Sequence, residues 1–272
     1  MDLSDRVAIV TGGGGGIGEG ISLCLARAGA NVVVSDVKEE LARGVAAKVE
    51  QVGKRSLAVV TDVRSEAECQ SLIETTLDKM GGLDILVCSA GTAGAHLMVE
   101  SENAMDIENI PVEAWDLTID VNLKGVFLCN RAAAPHFKQQ QRGRIINISS
   151  DAGRRGPVLL PIYGASKAGV INLTQSIALQ LAPYGVTANS ICPGLIWTPL
   201  WAEGVDVMIK LRPELANVAP ADLFNLMVQN QIPLKRAQTP EDMGDLVVFL
   251  ASDRASEITG QAINLDGGAQ MN

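Results

Sequence analysis

The sequence predicts an α/β fold: a single doubly wound parallel sheet of seven strands with helices on both faces. Three observations predict it. Short apolar runs alternate with longer helical stretches from the first residues onward. The runs are mostly apolar on both faces, as strands covered on both sides tend to be. No linker, repeat or low-complexity tract divides the 272 residues, so the chain reads as one domain, 1–272.

The first strand, 7–10, leads through a glycine run into a helix at about 17–29. Strand 32–34, helix 38–52, strand 57–60, helix 65–80 and strand 85–87 continue the alternation. Helix 112–139, strand 145–148, helix 162–182, strand 186–191, helix 240–251 and strand 261–265 complete it. Right-handed crossovers then place the helices on both faces. Two segments break the rhythm, and long connections are commonly lids or binding loops: 92–110, and 199–231, which reads as a small substrate lid. Val205, Met208, Leu211, Phe224 and Met227 suit one or two amphipathic helices there. Trp197 and Trp201 flank Pro199 at its base, either anchoring the lid or walling the substrate. Glu203, Asp206 and Asp222 read as solvated. Residues 168–202 carry no charge and are long enough to suggest a membrane span. Asn172, Gln175, Gln180 and Asn189 interrupt that stretch, and Pro183, Gly185 and Pro193 break it. It reads instead as a buried helix, a turn and a buried strand.

Composition narrows the function. A net charge of −9 and 3% aromatic residues argue against a nucleic-acid partner, which needs a basic face or stacking rings. His96 and His136 leave little for a zinc site, and no metal is expected. Cys24, Cys69, Cys88, Cys129 and Cys192 are scattered, with no Cys-x-x-Cys pair, and read as small buried apolar residues. The acidic start, Met1-Asp2-Leu3-Ser4-Asp5-Arg6, lacks the basic and apolar regions of a signal peptide. The expectation is a cytoplasmic protein with a small-molecule partner and no membrane.

Thr11-Gly12-Gly13-Gly14-Gly15-Gly16-Ile17-Gly18 lies between strand and helix. Glycines there permit a tight turn and close approach to a pyrophosphate at a helix N-terminus. Asp36 closes the second strand 18 residues beyond Gly18. Such a carboxylate accepts ribose hydroxyls and repels a 2′-phosphate. NAD is therefore favoured over NADP, with Lys38 the opposing feature. Further on, Ser149-Ser150 ends the fifth strand, and Tyr163 and Lys167, four apart, share one helix face. A nearby ammonium and a positive nicotinamide would draw the phenol below its usual pKa of about 10.

Together, Thr11-Gly12-x-x-x-Gly16-x-Gly18, Asp62-Val63, Asn122, Ser150, Tyr163-x-x-x-Lys167, Pro193-Gly194 and Asp266-Gly267-Gly268 resemble the motif set of the short-chain dehydrogenase/reductases. The resemblance spans nearly the whole chain and implies a Rossmann-type domain and hydride transfer between alcohol and carbonyl. It assigns Tyr163 to proton transfer and Lys167 to lowering the phenol's pKa and holding the nicotinamide ribose. Ser150 would hydrogen-bond the reacting oxygen, and Asn122 would position a water relaying protons towards Lys167. Gly12, Gly16 and Ile17 would line the pyrophosphate with Gly18, Asp62 and Val63 would frame the adenine, and Ile196 and Thr198 would meet the carboxamide. Where the family carries Asn-Asn-Ala-Gly this chain has Cys88-Ser89-Ala90-Gly91, so Cys88, on the cofactor side of the sheet, cannot make an amide's hydrogen bonds.

Asp151-Ala152-Gly153-Arg154-Arg155-Gly156 and Pro199-Leu200-Trp201 look similar to the polyol and small-diol dehydrogenases of that family. The expected reaction is NAD-linked interconversion of a secondary alcohol, polyol or cyclic, with its ketone. The apolar lid and the 92–110 connection point instead to a bulky terpenoid or steroid alcohol. Reduction of a 3-oxoacyl group on a carrier protein is disfavoured by Asp36 and the acidic charge. A non-catalytic NAD-binding protein would usually have lost Tyr163 or Lys167. A serine hydrolase would need Gly-x-Ser-x-Gly, whereas Gly164-x-Ser166-x-Ala168 lacks the last glycine. The family's habit implies a homotetramer or homodimer through helices 112–139 and 162–182.

Overall fold

The computed structural model describes residues 1–97, 106–215 and 217–271. One parallel sheet runs through it in the order β3-β2-β1-β4-β5-β6-β7. The strands are β1 (Val7–Thr11), β2 (Asn31–Asp36), β3 (Ser56–Val60), β4 (Ile85–Cys88), β5 (Gly143–Ile148), β6 (Val186–Pro193) and β7 (Ala262–Leu265). β1, β4, β5 and β6 are buried along their whole length; β4 is continuously apolar and β1 nearly so, while β5 and β6 also bury the polar Arg144, Asn147, Thr187, Asn189 and Ser190.

Helices α1 (Gly16–Arg27), α2 (Glu39–Gln51) and α3 (Glu66–Met80) follow the first three strands. Ile21 and Leu25 of α1 pack with Val45 and Val49 of α2 on one sheet face. Leu72 and Ile73 of α3 lie on the other, with Val126 and Phe137 of α5 (Gly125–Gln140) and Val170 and Leu181 of α6 (Pro161–Leu181). The expected single helix 112–139 is interrupted. α4 (Val112–Ile119) passes into a π turn at Asp120–Lys124 before α5 begins. Such a turn adds one residue and shifts the apolar stripe by one position, a step that a single helical reading of the stretch passes over.

The uncharged stretch is α6, a tight turn at Ala182–Tyr184 and β6; among the described residues no helix is long and apolar enough to cross a membrane. Residues 199–231 form α7 (Pro199–Leu211) and α8 (Pro220–Gln231), and α9 (Pro240–Ala251) packs against α1. Part of the long connection after β4, residues 98–105, lies outside the described residues. The chain order reverses between β1 and β4, so the crevice at their C-terminal ends is where this topology places a ligand.

Candidate active site

The glycine loop forms the floor of that crevice. Gly12 has φ +62°, and a Cβ on it would stand 2.6 Å from the Ala90 Cα. A Cβ on Gly18 would run into the Gly12 carbonyl oxygen. Only glycine satisfies the first conformation cheaply, and only glycine the second contact. Gly15, at the α1 N-cap, is extended and supplies no side-chain cap, so the helix start presents its amide groups. Asp36 accepts Gly14 N–H at 3.1 Å on Oδ2 and Lys38 N–H at 3.0 Å on Oδ1. Its carboxylate faces the cleft, with Lys38 beside it.

The strand ends bring the proton-transfer candidates together. Ser150 leaves β5 in an extended conformation and starts the short turn Asp151–Gly153, accepting Ala152 N–H at 3.1 Å. Tyr163 lies in the first turn of α6 and borders the cleft beside Ser150. One turn later, Lys167 donates from Nζ to the Ile148 carbonyl at 2.9 Å, with Nζ 5.6 Å from the Tyr163 ring centroid. Ser149 turns the other way and donates to the Lys167 carbonyl at 2.8 Å. Ser150, Tyr163 and Lys167 line one cleft of about 720 Å³ that also holds the glycine loop, Ile196 and Thr198.

The expected fall in the phenol's pKa is reversed in the protein by itself. Burial pushes Tyr163 up to about 12; the Ser150 hydroxyl works against this, and the Asp151 carboxylate adds to it. Burial also brings Lys167 down to about 8. Desolvation of each charged form therefore outweighs their mutual attraction at this separation.

Asn122 sits in the π turn, fully buried and behind the cleft rather than in its wall. Its Oδ1 accepts Thr92 N–H at 2.8 Å, and its Nδ2 donates to the Thr92 carbonyl at 2.8 Å and to Ser166 Oγ at 3.0 Å. It thus fastens the loop after β4 to α6. Three other positions depart from expectation. Cys88 points into the core, 2% exposed, where Sγ accepts from Asn130 Nδ2 at 3.5 Å; Ser89 and Ala90 line the cleft instead. The strand pleat turns alternate side chains to opposite faces, and Cys88 falls on the α5 side. Asp62 is held by Arg64 at 2.6 Å, and Val63 is buried against Gly125; neither borders the cleft.

At the lid, Trp197 and Trp201 both meet Phe224 edge to face, at 5.0 and 5.7 Å between ring centroids. Trp201 also lines the cleft with Met208 and Met227, so it both packs α7 against α8 and walls the pocket. Glu203 pairs with His96 at 3.0 Å, joining α7 to the turn Ala95–Leu97, while Asp222 is exposed. Asp151 and Arg155, which the sequence offered only within a stretch resembling polyol dehydrogenases, also border the cleft. Asp151 follows Ser150 directly, a signal open to inspection.

Known proteins share this arrangement. A family model described as enoyl-(acyl carrier protein) reductase matches residues 12–270. The chain is 37% identical to cis-4-hydroxycyclohexanecarboxylate dehydrogenase of Sinomonas cyclohexanicum, over 98% of this chain and 97% of that one. Three solved structures superpose on nearly its full length. A short-chain type dehydrogenase/reductase from Mycobacterium marinum has a TM-score of 0.85 at 31% identity, covering 100% of this chain and 98% of that one. NAD+-bound xylitol dehydrogenase has 0.89 at 28%, covering 98% and 100%. An actinorhodin polyketide ketoreductase variant with NADPH has 0.88 at 30%, covering 99% and 99%.

Proposed function

This chain belongs to the short-chain dehydrogenase/reductase family of oxidoreductases, which act on CH–OH donors with a nicotinamide cofactor, and we propose that it is an NAD-dependent dehydrogenase interconverting a secondary alcohol, polyol or cyclic, with its ketone. The observation that carries this reading is the convergence of Ser150, Tyr163 and Lys167 in the cleft floored by the glycine loop. The residues fit a dinucleotide: a cradle that side chains would fill, an uncapped helix start, and a carboxylate at the end of β2.

Gly12, Gly16, Ile17 and Gly18 would hold the pyrophosphate, Asp36 the adenine ribose, and Ile196 and Thr198 the nicotinamide. When bound, the nicotinamide supplies or accepts the hydride. Tyr163, neutral across the physiological range because burial lifts its pKa, gives its proton to the carbonyl oxygen in reduction. Alcohol oxidation needs the reverse transfer, so the phenol must first be brought down by positive charge beside it. Lys167 supplies part of that charge while protonated, below about pH 8. Ser150 hydrogen-bonds the same oxygen, and Asn122 keeps the loop after β4 in place behind Lys167.

Asp36 supports NAD over NADP, since a 2′-phosphate would bring negative charge against its carboxylate; Lys38 is the one cation beside it among the cleft residues described. The substrate reading is supported by a pocket with polar Asp151, Arg155 and Gln231 set among Leu160, Trp201 and Met227. The hydroxycyclohexanecarboxylate and xylitol dehydrogenases named above favour the same class. The test is NADH formation across polyols, cyclic alcohols, terpenols and hydroxysteroids, alongside NADPH-linked reduction of 3-oxoacyl thioesters. Turnover of polyols or cyclic alcohols with NAD is expected. Turnover only of terpenols or hydroxysteroids overturns the substrate class, and a preference for NADPH overturns the cofactor as well.

A further inference from the structure

Asp151 transfers no proton in the chemistry above, yet it borders the cleft and raises the Tyr163 phenol. Its side chain is 18% exposed and borders the cleft beside Tyr163. The Ser150 hydroxyl donates to Asp151 Oδ1 at 3.1 Å. The same hydroxyl oxygen accepts Ala152 N–H at 3.1 Å. A hydroxyl has one proton and two lone pairs. The proton is engaged by Asp151 and one lone pair by Ala152, so Ser150 offers no proton to a substrate oxygen while Asp151 is a carboxylate.

We propose that Asp151 is a positioning residue that switches Ser150 between two hydrogen-bonded states: as a carboxylate it keeps the serine proton, and as a carboxylic acid it releases that proton to the substrate oxygen. The proposal rests on the alcohol–carbonyl reading above. In the acid form the Asp151 O–H donates to the second lone pair of Ser150 Oγ. Ala152 N–H keeps its position. Ser150 and Tyr163 then both direct their O–H groups at the carbonyl oxygen, and Tyr163 transfers its proton there as the carbon is reduced. The switch itself takes up one proton, on Asp151.

The charges around Asp151 permit this. Arg155 lies 3.8 Å from Oδ2 but is half exposed, which weakens its support for the carboxylate. Arg154 is directed away, to Asn264 Oδ1 at 3.0 Å and the Ala262 carbonyl. Asp266 opposes ionisation, and burial opposes it most, so Asp151 titrates above its ordinary range. On the Tyr163 side, Lys167 is the nearest cation, and Asp151 itself raises the phenol.

Carbonyl reduction at saturating cofactor, followed from about pH 4.5 to about pH 7, stays below the Lys167 titration at about 8. The comparison uses the unmodified chain, Asp151→Asn, Ser150→Ala and the double variant. An amide can donate to Ser150 Oγ as the acid does, and it does not titrate. As pH rises, kcat of the unmodified chain should fall by roughly tenfold to a hundredfold, the scale of losing one donor to the reacting oxygen. Asp151→Asn should hold the acid-limit rate within about twofold, and in the Ser150→Ala background it should change nothing. A limb that survives Asp151→Asn, or an equal effect without Ser150, overturns the proposal.

Carboxyl-carbon NMR of Asp151 tests the coupling without substrate. Its midpoint should lie above that of an ordinary aspartate and rise further in Ser150→Ala, which removes a donor to the carboxylate. An ordinary midpoint unmoved by Ser150→Ala overturns the proposal whether or not any substrate turns over. The expected titration together with no turnover of any carbonyl counts against the alcohol–carbonyl reading instead.

Discussion

At Tyr163, desolvation lifts the phenol to about 12, and the same cause brings Lys167 to about 8 although the two side chains face one another. A group so placed is a proton donor at neutral pH and becomes a base only when further positive charge arrives. Tyr163→Phe keeps the packing and removes the proton. Turnover should fall by about 10³-fold or more, while NADH fluorescence titration still reports binding; a folded variant at wild-type turnover would sink the assignment. Asp36 acts by charge at the far end of the cleft. Asp36→Ser should cut the kcat/KM preference for NAD over NADP by about tenfold or more, equivalent to ~1.4 kcal/mol. An unchanged ratio would show that the carboxylate reads nothing beyond the loop amides it already accepts.

The π turn at Asp120–Lys124 and the glycine loop are the two elements that set the site's shape. In the turn, Asn122 satisfies both main-chain groups of Thr92 and also reaches Ser166. Asn122→Ala strands the half-buried Thr92 groups and the buried Ser166 hydroxyl at about 1–3 kcal/mol each, partly relieved by water at Thr92. Chemical denaturation should register a loss of ~2–4 kcal/mol, and a loss under ~0.5 kcal/mol would show that the turn does not depend on this amide. In the loop, Gly18→Ala sets a methyl against the Gly12 carbonyl oxygen. Since α1 and β1 are both buried and neither can retreat, the loop must open, and cofactor affinity should fall by at least about tenfold. Wild-type affinity in that variant would mean the loop adapts.

Across the whole molecule, α4, α5 and α6 share an outer groove lined by Ile119, Leu123, Phe127 and Leu173. Phe127 is 45% exposed and Leu179, on α6, 79%, an unusual amount of apolar side chain to leave in water. We propose that a second copy of the chain covers this face. Light scattering should then give a multiple of 28.6 kDa at micromolar concentration, and Phe127→Glu should lower it. A monomer mass in the unmodified chain would refute the assembly.

The sequence alone determined the alternation of strands and helices, the parallel sheet, and the positions of the glycine loop, Ser150, Tyr163 and Lys167. These are local signals: burial on both faces makes a strand mostly apolar, and a four-residue spacing fixes a shared helix face. Helix α9 appears at the bounds the sequence predicts, 240–251, because Thr239 and Asp242 cap it reciprocally. What the tertiary structure decided depends on neighbours distant in the chain. Cys88 faces Asn130 because of the pleat, and Asp62 turns to Arg64 rather than to the cleft. The π turn shifts the helical stripe by a single position within one long helical run, and the fold locates it. The phenol's pKa depends on how much water the assembled cleft excludes, and no spacing encodes that quantity. Asp151 stands next to Ser150 in any reading of the chain. Its hold on the serine proton exists only because the turn after β5 folds its carboxylate back onto the hydroxyl.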